Sequence, residues 1–135
     1  MKIGNMDRKA GISALHWNVN SPAVSWKWGG KKIEKVYGHR LFKVLLLKDR
    51  QSIAIIASTK DEGAENAGIY NADGSLRYKI KIPSIKPICY GFCDVYYEKD
   101  ELRIILMTGS RDYPYDTGCS FNPETGEIRN CHNVK

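Results

Sequence analysis

No stretch of this 135-residue sequence approaches the roughly 18 consecutive apolar residues that a membrane-crossing helix needs. The opening, Met1 to Lys9, also lacks the apolar segment of a secretory signal, so a cytoplasmic protein is expected. Helix signals are missing throughout: no 3.6-residue period is sustained, and no capping box opens an apolar run. There is no Walker loop, and the isolated Gly29-Gly30 reads as a turn rather than a phosphate cradle. Cysteine is scarce. Cys89 and Cys93 lie four apart and Cys119 and Cys131 twelve apart, without the paired CxxC knuckles of a zinc site. Strand alternation would send His132 to the opposite face from Cys131. In a reducing cytosol, the four are expected to be buried structural thiols rather than a disulfide framework.

Signs of catalysis are equally few. His16, His39 and His132 stand in separate strand-like contexts. A fold could bring one of them to Asp112 or to a cysteine as a dyad, but isolated histidines are more often structural. No catalytic residue, metal site or cofactor is assigned, and the chain is not expected to be an enzyme.

What the chain has is positive charge and a repeat. A net charge of +6 invites a nucleic-acid reading. The basic residues are dispersed, however. Lys31, Lys32 and Lys35, then Arg77, Lys79 and Lys81, alternate with apolar residues as the wet face of an outer strand would. The repeat is more informative. Val44 to Asp49 matches Val95 to Asp100, Ile53 to Ile56 matches Ile104 to Met107, and Ile69 to Asn71 matches Ser120 to Asn122, all at an offset of 51. Ala72 to Arg77 then meets Pro123 to Arg129 with one residue inserted. A period of this size marks a supersecondary unit that needs its copies beside it to bury an apolar face.

Each copy reads as four antiparallel strands in a meander. In the first, strands are expected at about Leu41 to Lys48, Ser52 to Ser58, Ala67 to Asn71 and Leu76 to Ile82. Ser52 to Ser58 is apolar on both faces, Ile53 and Ile55 against Ala54 and Ile56, which implies a strand covered above and below. Asp73-Gly74 is a hairpin turn. Leu76, Tyr78, Ile80 and Ile82 are expected inward. The second copy places strands near Phe92 to Glu98, Leu102 to Thr108, Gly118 to Asn122 and Glu127 to Asn133. An N-terminal part is a degenerate copy: Leu15, Trp17 and Val19 alternate, then Val24, Trp26 and Trp28, and Gly29-Gly30 leads into Lys31 to Val36. The three tryptophans are expected to fill its core.

Four-stranded meanders at this spacing, with turns of the kind Asn-x-Asp-Gly and Asn-Pro-Glu-Thr-Gly, resemble β-propeller blades, although no Trp-Asp signature is present. Three copies cannot close a ring. The expected fold is all-β, a stack of blades like an open half-propeller, with a two-sheet β-sandwich as the alternative. One domain spans 1–135, with the degenerate blade at about 11–37 and full blades at 41–82 and 92–133.

The loops between strands two and three are the longest, and equivalent loops should emerge at one end of the stack. Thr59 to Asn66 carries Asp61, Glu62 and Glu65. Gly109 to Thr117 carries Asp112 and Asp116, with Tyr113 and Tyr115. A basic chain thus gathers acid in two loops, a patch complementary to a basic protein cleft. In size, organisation and turn style the chain is similar to small bacterial immunity proteins, those of contact-dependent growth inhibition and related polymorphic toxin systems. That resemblance implies a stoichiometric inhibitor of a cognate toxin domain, commonly a nuclease, acting by occlusion. Asp61, Glu62, Glu65, Asp112 and Asp116 would mimic phosphates, and Tyr113 and Tyr115 would add contact area. The rival readings are a nucleic-acid-binding β module and a scaffold that pairs its open sheet edges with another copy.

Overall fold

A computed structural model describes residues 11–84, 88–109 and 114–134. They form three antiparallel sheets, each a meander of neighbours in chain order. The first holds β1 (Ser13–His16), β2 (Ala23–Trp28) and β3 (Lys31–Val36). The second holds β4 (Lys43–Leu46), β5 (Ser52–Ile56), β6 (Ala67–Asn71) and β7 (Leu76–Lys79). The third holds β8 (Cys89–Glu98), β9 (Glu101–Gly109), β10 (Pro114–Asn122) and β11 (Glu127–Val134). The single described helix, α1 (Thr59–Glu62), is one turn long.

The middle sheet is covered on both faces. Ile53 and Ile55 of β5 pack with Val24 and Trp26 of the first sheet, while Ala54 and Ile56 pack with Phe92, Ile104 and Leu106 of the third. Every residue of β5 is buried. An isoleucine removed from water contributes about 1.5–3 kcal/mol, so a strand apolar on both sides is stable only between two partners.

Polar groups also join the sheets. The buried Asn66 amide donates to the carbonyls of Ala57 and Phe92, at 2.7 and 2.8 Å, and its oxygen accepts the Phe92 N–H. Two contacts repeat the 51-residue offset: the Lys43 ammonium lies 3.1 Å from Asp94, and that of Lys48 lies 3.5 Å from the Lys99 carbonyl. Equivalent positions of neighbouring copies meet here, along β4 and β8.

The glycine turns serve this stacking. Gly74 has φ +93, and a Cβ there would stand 2.7 Å from Ile33 Cγ2 of the preceding sheet. Its counterpart Gly126, φ +81, would place a Cβ 3.4 Å from Tyr78. Both need a backbone that L side chains rarely adopt, and both lie against the outer strand of the sheet before.

Five expectations are corrected. Trp17 and Val19 fall beyond β1, which ends at His16 and carries a register irregularity at its pairing with β2. Leu76 is 48% exposed because Arg77 is an extra residue between the Ile69–Tyr78 and Tyr70–Leu76 rungs, turning Leu76 to the face of Tyr70. The expected loop from 109 to 117 is shorter, since β10 pairs with β9 up to the Pro114–Gly109 rung, and Tyr115 and Asp116 belong to the strand. Cys119 and Cys131 are joined as a disulfide, with Cα atoms 4.2 Å apart. Between the Gly118–His132 and Ser120–Arg129 rungs β11 has one residue more than β10, and Asn130 there has a positive φ of 55. This bulge breaks simple alternation and sets Cys131 against Cys119. Of the tryptophans, Trp26 is core, while Trp17 and Trp28 are half-buried at its margin.

Candidate functional site

Ser58 opens α1 by accepting the Lys60 N–H at 3.1 Å, a serine cap followed three residues on by Asp61. That short polar signal does not open an apolar run, which is why the helix is not read from periodicity. The Asp61 carboxylate faces back to the segment before β4. It lies 2.7 Å from His39 Nδ1 and accepts the His39 N–H at 2.9 Å. These bonds hold its pKa below the usual carboxylate range, the side-chain bond to His39 being the main cause. Glu62 pairs with Lys79, which also donates to the Glu65 carbonyl at 3.2 Å. Two of the sequence-predicted carboxylates are thus engaged within the chain. The Glu65 side chain is exposed and has no hydrogen bond or ion pair among the described residues. Asp112 and Tyr113 lie outside the described residues. The only histidine–carboxylate pair described is His39–Asp61, at the surface.

The start of α1 and the Asp116 segment flank the same end of β8. A Cβ at Gly91 would meet Thr59 Cγ2 at 2.8 Å and Met107 Cε at 3.3 Å. Met107 is the register partner of Asp116.

Beside Asp116 opens a groove of ≈ 620 Å³. It forms where the segment after β1 meets β4 and the middle of β8. Trp17, Phe42 and Tyr96 bring aromatic surface to it, and Lys43, Asp94 and Asp116 bring charge. Lys43 is paired with Asp94, which also accepts the Val95 N–H at 2.8 Å. Asp116 is exposed and has no hydrogen bond or ion pair among the described residues. The Cys93 thiol lines the groove too. Burial, then the charges of Asp116 and Asp94, push its pKa up to about 12, so it stays protonated and a poor nucleophile. Among the described residues, no group of three histidine, cysteine or acidic side chains could hold a metal ion.

Of the predicted residues that are described, the groove takes in Asp116 alone. Trp17, Phe42, Lys43, Asp94 and Tyr96 were not singled out as site residues. A signal existed for two of them: Lys43 and Asp94 occupy equivalent places in the repeat with opposite charge.

The chain is similar in fold to a chain in the solved structure of Tne2 in complex with Tni2. The TM-score is 0.58 at 16% sequence identity, covering 88% of this chain and 82% of that one. No protein-family model and no curated protein matches the sequence. At this identity the likeness is one of fold.

Proposed function

We propose that this protein is a bacterial immunity protein that binds and neutralises a cognate toxin domain. The observation that carries the reading is the fold it shares with a chain from the Tne2–Tni2 complex, a toxin–immunity complex. In this reading the three sheets are blades of an open half-propeller, since equivalent residues 51 apart touch only near an axis that relates the copies. The protein acts in the cytoplasm, the burial of Cys119 shielding its disulfide to Cys131 from the reductants there, and it acts by contact rather than by catalysis of its own. Its target is a nuclease of the contact-dependent inhibition type, whose active site it occludes.

The side chains of Glu65, Tyr115 and Asp116 have no hydrogen bond or ion pair among the described residues, and Asp112 and Tyr113 precede Tyr115 in sequence. Asp61 and Glu62 would have to share His39 and Lys79 with the partner. A nucleic-acid module gains less support, because Lys43, Lys48 and Lys79 are each neutralised by a carboxylate of the chain.

The test is co-expression with the toxin domain encoded beside its gene. Growth should be restored and a stoichiometric complex isolated. Truncation of Asp112 and Asp116 together should weaken that complex by about 2–5 kcal/mol, measured by calorimetry, if the charges are desolvated on binding. Continued toxicity at equal expression rejects the reading, and unchanged affinity removes these two residues from the interface.

A further inference from the structure

We propose that the groove beside Asp116 receives an arginine side chain projecting from the partner protein. This inference rests on the immunity reading and names the chemistry by which the partner is held.

Charge decides the occupant. The chain carries +6, yet this groove holds two carboxylates against one ammonium. Lys43 is already engaged with Asp94 at 3.1 Å, which leaves Asp116 without a cationic partner among the described residues. A phosphate or an acidic peptide would meet that charge as repulsion. The Arg40 guanidinium lies 5.5 Å over the Phe42 ring, but no cation pairs with Asp116 among the described residues.

The walls narrow the choice further. Trp17 and Tyr96 offer aromatic surface beside the two acids, the Phe42 ring already having the Arg40 guanidinium over it at 5.5 Å. A guanidinium is planar, stacks on aromatic rings and binds a carboxylate through two parallel hydrogen bonds, whereas an ammonium is a compact, strongly hydrated point charge. Arginine therefore fits this combination better than lysine. Val19, 71% exposed at the mouth of the groove, supplies apolar rim for the backbone that carries the arginine.

The position fits a protein ligand. The groove lies where the segment after β1 meets β4 and the middle of β8, so stretches belonging to all three sheets line it.

The experiment has two arms. In the first, the full chain labelled with nitrogen-15 is titrated with acetyl-Gly-Arg-Gly-amide, with the lysine and glutamate tripeptides as controls. Saturable shifts of the Trp17 indole and Asp116 amide signals are expected with arginine, weaker with lysine and absent with glutamate. Asp116→Lys should weaken arginine binding at least fivefold, and Asp116→Asn should weaken it less. Glu127→Lys, on the exposed β11, should bind as the parent does. Absence of shifts, equal shifts with glutamate, or shifts confined to another surface would overturn the inference. In the second arm, Asp116→Lys and Trp17→Ala are co-expressed with the toxin. Loss of protection by variants whose thermal melting is unchanged supports the groove. Full protection by both overturns it while leaving the immunity reading intact. A parent chain that fails to protect rejects the immunity reading, and the inference that rests on it falls with it.

Discussion

The indole N–H of Trp26 donates a 2.7 Å hydrogen bond to the carbonyl of Ala72, 46 residues later and one sheet away. The Tyr78 hydroxyl donates in the same way to the carbonyl of Pro123. Ala72 and Pro123 are equivalent positions of the repeat, each just before a glycine turn. An aromatic donor on one sheet thus holds the hairpin of the next.

Replacing Trp26 by Phe would leave the buried Ala72 carbonyl without a donor and open a small void. We expect a loss of about 2–4 kcal/mol in denaturant unfolding with an unchanged m-value. Tyr78→Phe, at a half-buried site, should cost about 0.5–1.5 kcal/mol.

Asn66 should be more sensitive still. Its side chain satisfies three backbone groups, so Asn66→Ala is expected to cost about 3 kcal/mol or more. Asn66→Asp adds a pH signature. A carboxylate facing the Ala57 and Phe92 carbonyls is favoured only when protonated, so its folded-state pKa is raised. The variant's deficit should grow as pH rises above about 4. A deficit independent of pH would contradict this geometry.

The Asp61–His39 contact carries the opposite sign. The carboxylate's pKa is lowered in the folded chain, chiefly by its hydrogen bond to His39. Its contribution is therefore present above the ordinary carboxylate range and disappears as pH falls through the folded value. Asp61→Asn should be less stable than the parent near neutrality and equal to it in strong acid, as thermal melting across pH would reveal.

Thiol counting tests the Cys119–Cys131 bond. Without reductant, denatured protein should release two alkylatable thiols, Cys89 and Cys93, and four after reduction. In the folded protein Cys93 should alkylate slowly even at pH 8, because burial and the neighbouring acids keep it protonated.

Much of the fold was legible because it rests on patterns local to each copy. Ile53 to Ile56, apolar on both faces, announced a covered strand, and Asp73-Gly74 announced its turn. The departures arose where one extra residue changed a strand's phase. Arg77 redirected Leu76, and the bulge at Asn130 brought Cys131 to Cys119, which alternation alone does not anticipate. The candidate site was less legible. Asp61 and Glu62 looked available because their partners, His39 and Lys79, lie 22 and 17 residues away. The groove joins five separate stretches of chain, around Trp17, Phe42, Asp94, Ile105 and Asp116, and only the opposite charges of Lys43 and Asp94 at matching repeat positions hinted at it.

Gly30 holds the turn position that Gly74 and Gly126 hold in the later sheets, yet no atom of the described residues lies within 4 Å of where its Cβ would stand. The row of sheets thus has a head and a tail. Among the described residues its leading hairpin has nothing to dock into, while each later hairpin is clasped by its predecessor. Lengthening such a chain is directional: a fourth unit fused after β11 would need only a compatible turn, whereas one fused ahead of β1 would have to bring its own clasp for Gly30.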